Sequence, residues 1–286
     1  MSIPEYLLKS NKELKREFQE LQKFDRIKYQ QEIEIESKLL KGNYRNENRY
    51  SDIIPYTNTR VKLEDGGYIN ANYINPSNDI LNKYIATQGP LKNTIFKFWQ
   101  LIMEELYIKD NDNIDIIMLT ELEEDNREKC YNYIKTIDND LINCGIKLFN
   151  KKFIKSNLKI LNNNGIELRE FNDFENGKKI RHFWVRKWPD FGIPDKDKDN
   201  NLYLIKYLHN INMNNNKNIK IVHCSAGVGR SGTFILLDWY YNEIYLKGLK
   251  QDIFESVMNM RKCRVMMVQR FEQYEYLYMV IKELYE

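Results

Sequence analysis

The sequence predicts an α/β domain. Three observations carry that prediction. A short apolar run at residues 115–120 and the segment from Ile219 to His223 suit buried strands, apolar residues recur at helical spacing near both ends of the chain, and the 286 residues are 42% hydrophobic. A chain of that length and apolar content can close a sizeable core.

The elements follow in order. Residues 11–40 read as two helices, with Leu14, Phe18, Leu21 and Phe24 at three- and four-residue spacing among charges. Residues 1–40 are therefore expected to form a helical flank on a main domain of residues 41–286. From about Asn43 to Arg60 the chain turns polar, and Pro55 breaks any helix. Residues 115–120 (Asp-Ile-Ile-Met-Leu-Thr) suit a buried strand. Residues 130–185 alternate with Asn and Gly clusters, Asn162 to Gly165 and Asn176-Gly177, which predicts antiparallel hairpins. Asn-rich patches at 162–164 and 214–216 read as loops. Ile219 to His223 is a short buried strand, and residues 231–247 form an apolar helix that Gly248 ends. Two amphipathic helices follow at 251–262 and 271–285. No repeat is visible.

Composition narrows the function. Net charge is +3, from 44 basic and 41 acidic residues. That balance does not suit a nucleic-acid binder, which needs a strongly basic domain, and gives no field for an anionic membrane. No apolar run approaches the ~20 residues of a membrane span. The charged start, with Glu5, Lys9, Lys12 and Glu13, lacks the core of a secretory signal. The four cysteines, Cys130, Cys144, Cys224 and Cys263, form no CxxC pair and too sparse a set to staple the chain, so a reducing cytoplasm is expected. No residue cluster has metal-ligand spacing, so neither a metal nor another cofactor is expected.

The decisive segment is Val222-His223-Cys224-Ser225-Ala226-Gly227-Val228-Gly229-Arg230-Ser231-Gly232-Thr233. Residues 227–232 formally match the GxGxxG dinucleotide fingerprint, but no second strand is readable after the helix, and no lysine follows the glycines as a Walker loop requires. A tight loop between strand and helix turns successive backbone N–H groups inward, and such a nest at a helix N-terminus binds a phosphate-like anion. Ser225, Ala226, Gly227, Val228 and Gly229 form the nest, and the planar fork of Arg230 can grip two phosphate oxygens. Cys224 opens the loop, where the same field favours a thiolate and aims it at phosphorus. The plainer alternative, a small buried apolar residue, is the reading adopted for Cys130, Cys144 and Cys263.

The string from His223 to Gly232 resembles the signature of the phosphotyrosine-specific protein tyrosine phosphatases, and further motifs occur in that family's order over roughly residues 40–286. The resemblance implies a twisted mixed β-sheet flanked by helices. It implies that Trp188-Pro189-Asp190-Phe191-Gly192-Ile193-Pro194 is the acid loop, with Asp190 as general acid and then base, and Trp188 as hinge and scaffold. Asn48-Arg49-Tyr50-Ser51-Asp52 resembles the substrate-recognition loop. Tyr50 would stack on the substrate ring and set the pocket depth, and Asp52 would accept hydrogen bonds from the substrate backbone. Gln269-Arg270-Phe271-Glu272-Gln273 resembles the Q-loop, with Gln269 placing the water and Gln273 assisting; Arg270 stands where Thr is usual. Ser231 would hydrogen-bond the sulfur. Glu124, Lys129 and Cys130 align with the loop whose Glu braces the phosphate-loop Arg and whose Lys meets the acid loop. Tyr68 to Asn72, Tyr84 to Pro90 and Phe98-Trp99 match scaffold segments. Ser51, Gly67, Lys97 and Ile134-Lys135 depart from the pattern.

Of the three histidines, His182 reads as hydrogen-bonded structure, His209 as solvent-facing at a helix end, and His223 as a tuner of the thiolate. The expectation is a monomeric enzyme that hydrolyses phosphotyrosine in proteins through a phosphocysteine. A dead binding relative would lack Cys, Arg or Asp. An enzyme of wider scope would lack the depth-setting Tyr50.

Overall fold

The computed structural model of the protein describes residues 3–39, 44–78, 83–135, 154–161, 165–186, 188, 192–194, 200–212 and 218–286. Cys144, Pro189, Asp190, Phe191 and the Asn-rich patches at 162–164 and 214–216 lie outside the described residues.

One large mixed sheet organises the chain. Its strands are β1 (Ala71–Ile74), β2 (Tyr84–Thr87), β3 (Asn113–Met118), β6 (Ile154–Lys155), β7 (Lys159–Leu161), β8 (Ile166–Asp173), β9 (Lys178–Val185) and β10 (Asn218–His223). A separate hairpin pairs β4 (Glu123–Glu124) with β5 (Arg127–Glu128). The sheet runs in the order β1-β2-β10-β3-β9-β8-β6, with β7 also on β8. Strands β2, β10, β3 and β9 are parallel, and the outer strands are antiparallel. The two expected strands are thus β3 and β10, side by side at the centre. The hairpins expected over 130–185 appear in β6 to β9, and Gly177 makes its turn at φ 65°.

Both faces of the sheet are covered, as parallel strands require. On β3, Ile114, Ile116 and Met118 enter one core while Ile117 enters the other. The first core holds α2 (Ile95–Met103) with its buried Phe98 and Trp99. The second holds α3 (Asn200–Asn212), α4 (Gly229–Trp239), α5 (Ile253–Cys263) and α6 (Phe271–Glu283), and α1 (Asn11–Leu39) packs on α5 and α6.

Three expectations are corrected. Residues 11–40 do not form two helices: α1 is continuous over 29 residues. Its buried stripe runs Leu14, Phe18, Leu21, Asp25 and Glu32, so it continues through carboxylates that find partners inside. His209 is not solvent-facing. It is half-buried in α3, with Nδ1 2.8 Å from Asn242 Oδ1. The helix after the central loop starts at Gly229, earlier than expected. It passes through a π-helical turn, Tyr240–Tyr245, before Gly248 at φ 74° donates to the Ile244 carbonyl. Among the described residues no strand follows α4, which removes the dinucleotide-binding reading.

Candidate active site

The carboxyl ends of parallel strands are where open α/β sheets place their ligands. Strand β10 ends there in His223, and Cys224 to Val228 turn into α4. The turn is tight enough to demand one particular glycine. Gly227 has φ 71°, and a Cβ there would lie 2.1 Å from the Thr87 carbonyl oxygen at the end of β2.

Arg264 holds this loop from behind. Its guanidinium is fully buried and donates to the carbonyls of Ala226 (3.0 Å) and Gly227 (3.0 Å), and to the side-chain oxygens of Asn70 (2.7 Å) and Asn72 (2.7 Å). With those carbonyls turned out, the loop N–H groups are free to face in. Burial pushes the Arg264 pKa down to about 10, which still leaves it a cation at neutral pH. Asn70 also donates to Asn48 Oδ1 and the Ile53 carbonyl, tying the loop to residues 48–53.

A cavity of about 170 Å³ opens over the turn. Tyr50, Asp52 and Ile53 line it from one segment, Cys224, Ser225, Ala226, Gly229 and Arg230 from the loop, and Gln269 and Gln273 from a third. Nine of these ten were expected site residues; Ile53 was not. Cys224 accepts from the Gly227 N–H at 3.3 Å. Burial alone would raise its pKa, but the Arg230 charge, Ser231 and the N–H groups of Ser231 and Val228 outweigh burial and lower it. Ser231 Oγ is buried and makes no well-formed hydrogen bond among the described residues, so its help to the thiolate comes from proximity. Cys130 and Cys263 differ. Burial pushes both thiols up, Cys130 the further.

Among the described residues, Glu124 and Trp188 aim Arg230. Its Nη1 and Nη2 donate to Glu124 at 2.7 and 3.1 Å, and Nη1 donates to the Trp188 carbonyl at 2.9 Å. Glu124 is placed by the β4–β5 hairpin, whose turn residues Asp125 and Asn126 have φ of 51° and 56°, a geometry these residue types tolerate. Trp188 is buried against Tyr276, with its indole N–H on the Gly192 carbonyl. Tyr50 is fixed by a 2.9 Å hydrogen bond between its hydroxyl and Ser225 Oγ. Ser225 Oγ in turn donates to the Lys129 carbonyl, so Lys129 meets the site through its backbone. Gln273 accepts from the N–H groups of Gln269 and Arg270. Asp190 lies outside the described residues.

Behind the cysteine sits a group that spacing could not reveal. The Tyr133 hydroxyl lies 2.6 Å from His223 Nε2 and 2.8 Å from His182 Nε2. His223 Nδ1 lies 3.1 Å from the Cys224 carbonyl, an acceptor, so Nδ1 carries the proton. Nε2 of His223 must then accept from Tyr133, and Tyr133 must accept from His182. Every proton is placed, and both rings are neutral. Burial lowers both pKa values, that of His223 to about 4 and that of His182 well below the usual range. Because the unfolded rings titrate near ~6.5, stability is full above that pH and falls as pH drops, by up to ~1.4 kcal/mol per pH unit per ring. In urea unfolding between pH 6.5 and 5, His182→Gln should lower the slope by up to ~1.4 kcal/mol per pH unit relative to the wild type. An unchanged slope in the variant would dismiss the pair.

Sequence reasoning missed Arg264, Tyr133 and the role of Arg49. Arg49 ties the Gly89, Pro90 and Glu128 carbonyls together at 3.0, 2.9 and 2.9 Å. A signal for Arg264 existed, since it directly precedes the apolar run Val265 to Val268. Among the described residues no group of His, Cys, Asp or Glu is arranged to hold a metal ion, and no helix is long and apolar enough to cross a membrane.

Residues 44–283 match the profile of a family described as protein-tyrosine phosphatase. Human tyrosine-protein phosphatase non-receptor type 2 is 33% identical over 245 residues, covering 84% of this chain and 56% of that protein. Tyrosine-protein phosphatase 1 of Schizosaccharomyces pombe is 32% identical over 268 residues, covering 83% and 44%. A solved structure of PTPN18 in complex with HER2 phosphopeptides superposes with a TM-score of 0.76 at 26% identity, over 96% of this chain and 100% of that one. The chain spans about half the length of the non-receptor relatives it matches.

Proposed function

Since the chain belongs to the protein-tyrosine phosphatase family, we propose that it hydrolyses phosphotyrosine in proteins through a phosphocysteine intermediate. The observation that carries this is the pairing of a Cys224 thiol of lowered pKa with an Arg230 fork already aimed by Glu124, in one cavity walled by Tyr50. In this reading the Cys224 thiolate attacks phosphorus as the bond to the tyrosyl oxygen breaks. Arg230 and the loop N–H groups hold the equatorial oxygens as charge develops there. Asp190 gives its proton to the departing oxygen, then takes one from the water that Gln269 and Gln273 place. That water displaces the sulfur, and Ser231 eases its departure as thiolate. His223 and Trp188 support the loop and the arginine.

Substrate choice follows from depth. Tyr50, held on Ser225, makes a wall that an aromatic ring can lie against, and a phosphoserine is too short to bring its phosphorus to the sulfur. PTPN18, which shares the fold, has been solved with phosphopeptides of HER2. Residues 41–286 are read as the catalytic domain and residues 1–40 as its flank. A reducing cytoplasm is the setting that the sparse cysteines fit, and the chain is read as a monomer.

Phosphate release from matched phosphotyrosine and phosphoserine peptides tests the reading. Preference for phosphotyrosine is expected; equal cleavage would remove Tyr50 as the gate, and binding without release would point to a phosphotyrosine-binding module. The acid has its own test. Asp190→Ala should cut kcat ~10²–10⁴-fold on a phosphotyrosine peptide, and far less on an aryl phosphate whose leaving group needs no proton. An equal loss on both would remove Asp190 from that role.

A further inference from the structure

Helix α1 reaches the site from outside it. Asp25 is buried on that helix, and its Oδ2 accepts from Arg261 Nη1 at 2.7 Å. Arg261, also buried, donates from Nε to the Met267 carbonyl at 2.9 Å and from Nη2 to the Val268 carbonyl at 2.7 Å. Asp25 Oδ1 accepts directly from the Met266 N–H at 3.3 Å. One carboxylate therefore holds three consecutive residues, one directly and two through a single guanidinium.

Those three residues would not hold themselves. Met266 and Val268 have φ of 55° and 60°, and a β-branched residue in that region is strained. They also press on α4, where a Cβ on Gly232 would lie 2.5 Å from the Val268 nitrogen. Gln269 is the next residue. Its side chain is in the cavity, and its Nε2 lies 3.8 Å from Met266 Sδ. The strained turn sets where that side chain begins.

We propose that Asp25 is a positioning residue for the second chemical step, holding the 266–268 turn through Arg261 so that Gln269 can place water on the phosphocysteine. The inference rests on the phosphocysteine reading above. Asp25 touches nothing that reacts, and the first step, attack by Cys224, does not use Gln269. The same helix offers a contrast. Glu32 Oε2 accepts from the Thr57 N–H at 3.0 Å, on the chain that follows Tyr50 and Asp52, so Glu32 anchors the helix to a different segment.

Kinetics separate the steps. When attack on the substrate is irreversible, kcat/KM contains only binding and the first step, while kcat also contains hydrolysis of the intermediate. Asp25→Asn should lower kcat about tenfold with KM falling in parallel, leaving kcat/KM within about twofold of the wild type. Acid quench with a ³²P-labelled phosphotyrosine peptide should show a larger fraction of enzyme standing as phosphocysteine. Glu32→Gln should lower kcat/KM and leave that fraction unchanged. If Asp25→Asn does not fold, Asp25→Glu keeps the charge and shifts the carboxylate, and should show the same split at smaller size. A fall in kcat/KM that matches the fall in kcat, or an unchanged labelled fraction, overturns the proposal. Absence of any labelled intermediate in the wild type would overturn the functional reading, a result distinct from failure of Asp25 alone.

Discussion

Cys224→Ser is expected to lower turnover of a phosphotyrosine peptide by at least ~10⁴-fold, on the scale of removing the nucleophile from other covalent enzymes, while peptide binding survives. The loop N–H groups, Arg230 and Tyr50 do not depend on the sulfur for their places, because Arg264, Glu124 and Ser225 hold them. What is lost is the anion. A serine hydroxyl stays protonated where the thiol of Cys224 ionises, since its pKa is set below the ordinary range by Arg230, Ser231 and loop N–H groups against the pull of burial. The same argument predicts alkylation of the wild type. The thiolate is present above the lowered pKa and lost as pH falls through it, so inactivation by iodoacetamide should have its midpoint below the ~8.5 of a free thiol. Cys130 and Cys263 should stay unmodified, because burial raises their pKa. Residual turnover in the serine variant above about one percent of wild type would refute the nucleophile's role. Labelling of Cys130 first, read by mass spectrometry, would refute the field.

Arg230→Lys should cost ~10³–10⁵-fold in kcat, the range seen when an arginine that stabilises phosphoryl transfer is removed. The substitution keeps the charge and removes the fork. Glu124 now takes both terminal nitrogens from one side and the Trp188 carbonyl takes Nη1 as well, so the plane of the fork is set before a phosphoryl group arrives. A lysine ammonium offers a point charge that Glu124 would pull away from the cavity. Glu124→Gln separates aim from charge. It leaves Arg230 intact but weakly held, and a loss of ~10–100-fold is expected, the size usual for groups that orient a functional side chain. If Arg230→Lys keeps activity within tenfold of wild type, planar recognition is not what the site uses.

The site was more legible in the sequence than its supports, for a physical reason. A nest, a thiol and a fork must lie within one turn of chain, so they appear as one string, residues 223–232. The strands beside it read correctly because β3 and β10 are covered on both faces and so are rich in apolar residues, Ile114, Ile116, Ile117 and Met118 on one and Ile219, Ile221 and Val222 on the other. Supports come from far along the chain. Tyr133, His182 and His223 meet only because β9 and β10 flank β3 in register, with Ile116 opposite both His182 and Ile221, and no local pattern contains that. Helix α1 was divided in two because its buried stripe turns polar at Asp25 and Glu32, and an apolar periodicity that stops looks like an end. By spacing Phe24 continues the stripe, but it is only half-buried, and Asp25 takes the inner place.

Arg264 has a consequence in the electrical bookkeeping of the resting protein. Among the described residues it has no carboxylate within ion-pair reach; its partners are carbonyl and amide oxygens, and the anionic sulfur of Cys224 is among the charges it feels. A sealed interior thus contains a cation that the negative charge of the nucleophile helps to offset. Any chemistry that neutralises the sulfur, such as alkylation, leaves that cation uncompensated. The spent protein should therefore melt below the fresh one even though no packing contact has been removed, and an oxyanion in the cavity should restore part of the difference.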